Sequence, residues 1–471
     1  MSPMGTGPGR RRGGAARLRT AAAALCAAVA LPLLAPVPAY ADEWRDKQYW
    51  LADYGVIDAW KTTKGAGVKV AVIDTGVDAS HPDLAGVVTG GVDVSGAGDP
   101  KGAKGLGSTP EHGTLVATLL AGRGHEKPND DKGDKGDKGA KEDKPAEDKP
   151  ADRPDGIIGV APEAEILAVS TWIGGTNPGG VPIDQQIPNA VRWAVNNGAK
   201  VINMSLGSTS TAWPESWDDA FLYAEQNDVV IVAAAGNREG GMVQVGAPAT
   251  IPGVLTVAGL NRQGEASWDS SSEGISIGVA APSEKLVGGL PEGTSRYAGW
   301  EGTSGAAPLV SGVAALIRSA HPEMSAAEVV NRIVRTARDA GAPGVDTIYG
   351  YGILDANAAV NADVPSVTSN PLGTIAEWIR VHRRVTDVSP GAADIPAPTV
   401  PDLPEPAVPV AQEPAAEKDN LPAVVVLGFS ALLVLVLVGG TVHVSRVRRR
   451  GTAAGDPENT TTGSLDEAGV R

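Results

Sequence analysis

Three side chains suited to act as acid, base and nucleophile occur in this chain in the order Asp74, His112, Ser304. A serine hydroxyl attacks a carbonyl efficiently only when a base takes its proton, and an imidazole is a good base when a carboxylate fixes its tautomer. Each of the three lies in a short motif with glycine: Asp74-Thr75-Gly76, His112-Gly113-Thr114 and Gly302-Thr303-Ser304-Gly305. Taken singly they would read as a turn, a packed ring and a loop. Taken together they make a hydrolytic triad if the fold brings them within hydrogen-bond reach of one another.

The elements around them are suited to that task. Asp74 directly follows an apolar strand, Val68 to Ile73, and open α/β sheets build their sites at the carboxyl ends of strands. His112 opens a helix with Leu115, Val116, Leu119 and Leu120 on its apolar face. The positive end of that helix dipole is expected to oppose protonation and keep the imidazole a neutral base. Ser304 begins a second helix, marked by Leu309, Val310, Val313, Leu316 and Ile317 at helical spacing. Further apolar runs at Ala164–Val169, Val201–Met204, Val229–Ala233 and Val254–Ala258 read as strands. Thr114–Leu120, Ile187–Val195 and Trp217–Glu225 read as helices. Strands without polar alternation, separated by helices, predict an α/β domain: a doubly wound, mostly parallel sheet covered by helices on both faces. With 42% hydrophobic but only 4% aromatic residues, its core must be built mainly from Ala, Val, Leu and Ile.

The order Asp, His, Ser matches the subtilisin arrangement. Val70 to Asp78, His112 to Ala117 and Gly302 to Gly312 resemble the three motif blocks of the subtilase family. Ala233-Ala234-Ala235-Gly236-Asn237 is similar to the family's oxyanion segment. That likeness implies that the Asn237 amide and the Ser304 backbone N–H bind the developing oxyanion. Asn203-Met204-Ser205-Leu206-Gly207 resembles the substrate-binding strand, so Ser205, Leu206 and Gly207, with Ala234 and Gly236, are implied to bind an extended polypeptide substrate. The segment Val245 to Ala249 resembles one that carries a cis proline, which implies a cis Ala247-Pro248 bond. The implied activity is a serine endopeptidase working through an acyl-enzyme, with no metal and no cofactor. Two positions depart from the pattern: Gly305 stands where subtilisins commonly carry Met, and Leu309 where they carry His.

The ends of the chain carry export and membrane signals. Residues 1–41 read as a signal peptide, with Arg10, Arg11, Arg12, Arg17 and Arg19 before the apolar run Ala21 to Leu34 and Ala39-Tyr40-Ala41 at the cleavage site. Residues 42–61 form an N-terminal extension. It is too short to be a separately folding propeptide, so it is expected to stay attached and pack on the domain. The peptidase domain is placed at 62–360, with a charged Asp-Lys-Gly-rich insertion at 123–155 expected to be disordered. A Pro-rich stalk at 361–420 leads to a transmembrane helix at 421–444, followed by Arg446, Arg448, Arg449 and Arg450 and a cytoplasmic tail at 445–471. The catalytic domain is thereby expected outside the plasma membrane, held by one span. A net charge of −15 argues against nucleic-acid binding. These ends, with the tryptophan-rich start and the insertion, resemble those of the mycosins, membrane-anchored subtilases associated with type VII secretion. That resemblance implies a secretion membrane complex as partner. The alternative role is a structural subunit of such a complex, with proteolysis secondary.

Overall fold

The computed structural model describes residues 43–125, 155–291 and 297–383. These belong to the first of two units, Met1–Ala411; the second, Gln412–Arg471, lies outside the described residues. The signal peptide and the transmembrane helix expected from the sequence also lie outside them. Among the described residues no helix is long and apolar enough to cross a membrane.

Three one-turn helices open the described chain: α1 (Glu43–Asp46), α2 (Trp50–Asp53) and α3 (Val56–Ala59). Strands β1 (Lys69–Asp74) and β2 (Val88–Asp93) follow, then helix α4 (His112–Ala121). A short antiparallel pair, β3 (Arg123–His125) and β4 (Asp155–Ile158), precedes β5 (Glu165–Ser170), α5 (Ile183–Asn196) and β6 (Val201–Met204). After α6 (Asp218–Gln226) come β7 (Val230–Ala234), β8 (Leu255–Leu260) and β9 (Ile277–Pro282). A hairpin, β10 (Leu286–Gly289) and β11 (Tyr297–Trp300), leads into the long helix α7 (Thr303–Ala320). The described chain closes with α8 (Ala326–Arg335), α9 (Ala356–Asn361) and α10 (Ile375–His382).

Seven strands form one parallel sheet in the order β2-β5-β1-β6-β7-β8-β9. The α/β, doubly wound fold expected from the sequence is therefore present. Residues of β6, β7, β8 and β9 are all buried, as strands covered on both faces must be. The outer edge of β9 is not bare. Tyr351 N donates to Gly278 O, Ala280 N to Gly352 O and Leu354 N to Ala280 O, so an extended segment satisfies the edge. The chain switches direction across the sheet between β1 and β6, and open α/β sheets place their sites at the carboxyl ends of strands at such a point.

Helix α7 is buried almost throughout, from Thr303 to Arg318, apart from Ser304, which is half-buried. Its composition, rich in Ala, Val, Leu and Ile around the whole circumference, suits a helix with no solvent face. The N-terminal extension packs against β4 through polar groups directed at the backbone. Arg45 Nη2 donates to Gly156 O at 2.9 Å, and the Gln48 amide both donates to Ile158 O (2.7 Å) and accepts from Ile158 N (3.0 Å). Trp60 Nε1 donates to Val160 O at 2.7 Å.

Two boundaries differ from the sequence reading. The insertion expected to be irregular over 123–155 has ordered ends: Arg123 pairs with Ile158 and His125 with Asp155, and His125 Nδ1 lies 2.6 Å from the buried Asp83. Backbone pairing and a buried carboxylate thus claim residues that composition alone assigns to the loop; 126–154 lie outside the described residues. The stalk expected over 361–420 does not begin at 361, because 361–383 contain the folded helix α10; 384–420 lie outside the described residues. Thr374 caps it by accepting from Glu377 N, Ile375 is buried, Trp378 lies 4.4 Å from Trp213 between ring centroids, and Arg383 pairs with Asp218 at 2.8 Å. Removing the indole in Trp378→Ala deletes a tilted ring pair and its apolar area, and is expected to destabilise the domain by about 1–2 kcal/mol. Denaturant unfolding measures this; a midpoint unchanged from wild type would show that α10 is not part of the folded domain.

Candidate active site

Asp74 ends β1 with no solvent exposure. Its Oδ1 accepts from Thr75 N (2.7 Å) and lies 2.8 Å from His112 Nδ1. The approach of α4 to β1 is possible because two glycines meet: a Cβ on Gly113 would lie 2.2 Å from Gly76 O. Thr75 Oγ1 also accepts from Gly113 N at 3.0 Å, tying the start of α4 to the end of β1.

His112 does not behave as the helix dipole alone predicts. Burial of the ring favours its neutral form. The Asp74 charge, the Asp74 hydrogen bond and the nearby Glu111 act the other way and hold the imidazole above its ordinary value of 6.5. A carboxylate at 2.8 Å outweighs the partial charge of a helix terminus. Trp300, at the end of β11, meets the His112 ring edge-on with centroids 5.7 Å apart.

Ser304 occupies the first turn of α7, packed near α4. Its hydroxyl donates to Ser205 O at 3.2 Å, and the expected hydrogen bond to His112 is not formed. The partnership with Ser205 is reciprocal and has a sequence cause. Pro308 has no N–H, so Ser304 O lacks its i+4 donor within the helix. Ser205 Oγ donates to that carbonyl at 2.8 Å instead. A buried chain continues from there: Asn203 Nδ2 donates to Ser205 Oγ (2.9 Å), and Ser311 Oγ to Asn203 Oδ1 (2.9 Å). Gly305 also has a reason in the packing. A Cβ there would come within 2.3 Å of Leu286 and 3.4 Å of the Trp300 ring, so these side chains take the volume that a Met at this position would need.

Asn237 sits just past β7 with its amide oriented by Thr303. Oδ1 accepts from Thr303 N (2.8 Å) and Thr303 Oγ1 (2.9 Å), so the atom facing Thr303 must be the oxygen. Nδ2 is left as a donor beside Gly302. Ser304 N lies among the first N–H groups of α7, which have no acceptor inside the helix. Both donors thus stand at the N-terminal end of α7, the turn that carries Ser304. Leu206 and Gly207 continue from β6 beyond the sheet, and their backbone groups make no hydrogen bonds among the described residues. Gly236 N donates to Thr303 Oγ1 at 3.0 Å. Ala234 is different: it remains inside β7, paired with Val257 and only 3% exposed, so its backbone belongs to the sheet. The Ala247-Pro248 bond is cis, as expected. A cavity of about 570 Å³ opens beside Leu206 and Gly207, bounded by Trp172 to Gly175 and the start of α5.

Five residues around these side chains had no role of their own in the sequence reading: Thr75, Asn203 and Thr303, which it placed only within motifs, and Trp300 and Ser311. Asn203 and Ser311 were detectable as lone polar residues in apolar elements. Trp300 carried no signal, because its role depends on a hairpin brought over α4 from far along the chain.

Comparison with known proteins agrees with the geometry. The family described as the Subtilase family is matched over residues 65–352, more than half of the chain. Mycosin-1 of Mycobacterium tuberculosis is 35% identical over 367 residues, covering 67% of this chain and 74% of that protein. Subtilisin DY of Bacillus licheniformis is 35% identical over 302 residues, covering 63% and 92%. Among solved structures, the MycP3 protease from the type VII (ESX-3) secretion system superposes with a TM-score of 0.53 at 30% identity, covering 70% of this chain and 90% of that one. Fervidolysin from Fervidobacterium pennivorans, a keratinolytic enzyme related to subtilisin, gives 0.57 at 28% identity; the match spans 70% of this chain but only 47% of fervidolysin. The chain therefore belongs to the subtilase family, as a subtilisin-like serine endopeptidase related to the mycosins.

Proposed function

We propose that Asp74, His112 and Ser304 form the catalytic triad of this endopeptidase, with Asn237 Nδ2 and Ser304 N as the oxyanion donors. The observation that carries this reading is the buried Asp74 bonded to His112 beside the start of α7, where Thr303 turns the Asn237 amide donor outward. An extended substrate pairs with the open backbone of Ser205 to Gly207 as an added strand. Its N–H groups compete for Ser205 O, the acceptor that the Ser304 hydroxyl uses in the free protein. Once displaced, that hydroxyl gives its proton to His112 Nε2 as its oxygen attacks the scissile carbonyl. Asp74 holds the Nδ1 proton and stabilises the imidazolium. The oxyanion is met by Asn237 and Ser304 N, His112 returns the proton to the leaving amine, and water then hydrolyses the acyl-enzyme by the reverse roles.

Around this chemistry we place a signal peptide at 1–41, an extracytoplasmic domain, a single span at 421–444 and a cytoplasmic tail. Association with a type VII secretion complex is supported by the likeness to the MycP3 protease from such a system. One observation favours the structural-subunit reading: the free protein directs Ser304 toward Ser205, not toward His112. Labelling with a fluorophosphonate separates the two. Wild type should label and Ser304→Ala should not; a wild type that neither labels nor cleaves peptides, while deletion of 421–450 alone disrupts secretion, would leave the structural role.

Two further outcomes follow from the geometry. Asn237→Asp keeps the acceptor for Thr303 while removing the oxyanion donor, so turnover should fall by at least about 10²-fold; unchanged turnover in a folded variant excludes Asn237 from that role. Because His112 must be neutral to act, and Asp74 raises its pKa, kcat/KM should increase with pH through a midpoint above 6.5. Asp74→Asn should lower that midpoint as well as the rate. A pH–rate profile with the same acidic midpoint in both proteins would contradict the coupling.

A further inference from the structure

Beyond the sheet, the parallel strands β6 and β7 continue as two short segments, Ser205–Gly207, which borders the cavity beside α5, and Ala235–Gly236, which leads into Asn237. Both end on glycine, and the side-chain faces of both glycines look toward one residue. A Cβ on Gly236 would lie 2.8 Å from Ser272 Oγ and 3.2 Å from both Met242 Cβ and Sδ; one on Gly207 would lie 3.5 Å from the same sulfur. The Met242 thioether therefore stands between the two segments, about one methyl group away from either backbone.

Its backbone is held there. Met242 N donates to Asn237 O at 3.1 Å, and Met242 O accepts from Ser272 Oγ. The intervening turn is closed by Gly240 N to Asn237 O (3.1 Å) and Gly241 N to Arg238 O (2.8 Å). Arg238 is fixed in turn by Ser271 O (2.7 Å), Glu273 (3.3 Å) and the Trp268 ring (4.5 Å to its centroid). The turn that carries the oxyanion donor thus also sets the position of this sulfur.

We propose that Met242 closes the space for the side chain of the residue before the scissile bond, making this enzyme selective for substrates with Gly, Ala or Ser there. The inference rests on the peptidase reading above, in which substrate pairs with Ser205–Gly207. Side chains of an extended strand alternate in direction. With the scissile carbonyl at Asn237, the preceding side chain enters the crevice between the two glycine-ended segments. A carbon placed on the Gly207 side reaches the sulfur at ordinary contact distance (3.5 Å) and one on the Gly236 side already crowds it (3.2 Å), so the space beside the sulfur takes a methyl group and little more. A leucyl or phenyl group overlaps Met242, whose backbone cannot retreat, and the only relief is rotation of the flexible thioether itself. Discrimination is accordingly graded, on the order of 10–100-fold, the range expected for steric selection in an apolar pocket.

Peptides identical except for Ala, Leu or Phe before the scissile bond test this. For wild type, kcat/KM should be about 10–100-fold higher with Ala than with Phe. Met242→Ala should shrink that ratio by about 10-fold or more, with Met242→Val in between. Thermal melting checks that both variants are folded. A wild type that prefers Phe or Leu, or a ratio unchanged in folded Met242→Ala, overturns the proposal. Binding of the same peptides to Ser304→Ala, alone and combined with Met242→Ala, reads the steric claim without turnover. If wild type proves inactive, the peptidase reading fails, yet tighter binding of the Ala peptide that disappears with Met242→Ala still supports a closed crevice. Equal binding of Ala and Phe peptides, or no binding of either, sinks it.

Discussion

A carboxylate fully removed from water is costly unless donors reach it, and Asp74, at the carboxyl end of β1, is such a group: its donors all fall on Oδ1, while its buried Oδ2 has no hydrogen-bond partner among the described residues. Meeting that demand fixes much of the neighbouring structure. Thr75 must present its N–H, α4 must start within reach so that the His112 ring can bond, and Gly113 must be a glycine for its backbone to approach that of Gly76. The same demand explains why His112 is more basic than a histidine at a helix start should be. Desolvation favours its neutral form and the adjacent negative charge prevails. The base is therefore set by its partner, with the helix terminus a lesser influence.

The second half of the site depends on a different economy, that of backbone groups which cannot be left unpaired. Pro308 frees one carbonyl in the first turns of α7, and that carbonyl belongs to Ser304. Ser205 answers it, and Asn203 and Ser311 hold Ser205. The end of β6 and the start of α7 are locked together by hydrogen bonds that a purely apolar contact could not aim. On the proposed function, substrate backbone would compete with the Ser304 hydroxyl for one acceptor, Ser205 O, a direct physical route from binding to the state of that hydroxyl.

Much of the fold was legible because the central strands are buried on both faces and carry no alternation, which separates them cleanly from the helices between them. The chemistry-bearing motifs were legible because each closes or opens a regular element, as at Asp74, His112 and Ser304. What escaped were contacts between segments distant in sequence. Trp300 reaches His112 only after the β10–β11 hairpin folds over α4, and α10 is recruited by Trp213 and Asp218, residues that precede it by more than 150 positions. Composition also misjudged residues 123–125, whose place is decided by pairing with β4 and by Asp83 instead of by their own apolar content.

Gly305 shows how such distant contacts reshape a local motif. A side chain at this position projects toward Leu286 and Trp300, so the volume between nucleophile helix and hairpin is shared: either the helix supplies a side chain or the hairpin does. Here the hairpin supplies it, and the indole that fills the gap also meets the edge of the His112 ring. The absence of a side chain next to Ser304 and the aromatic packing on His112 are two consequences of one steric exchange. A departure that looks like weakening in the linear sequence is, in three dimensions, the transfer of a packing role from α7 to β11.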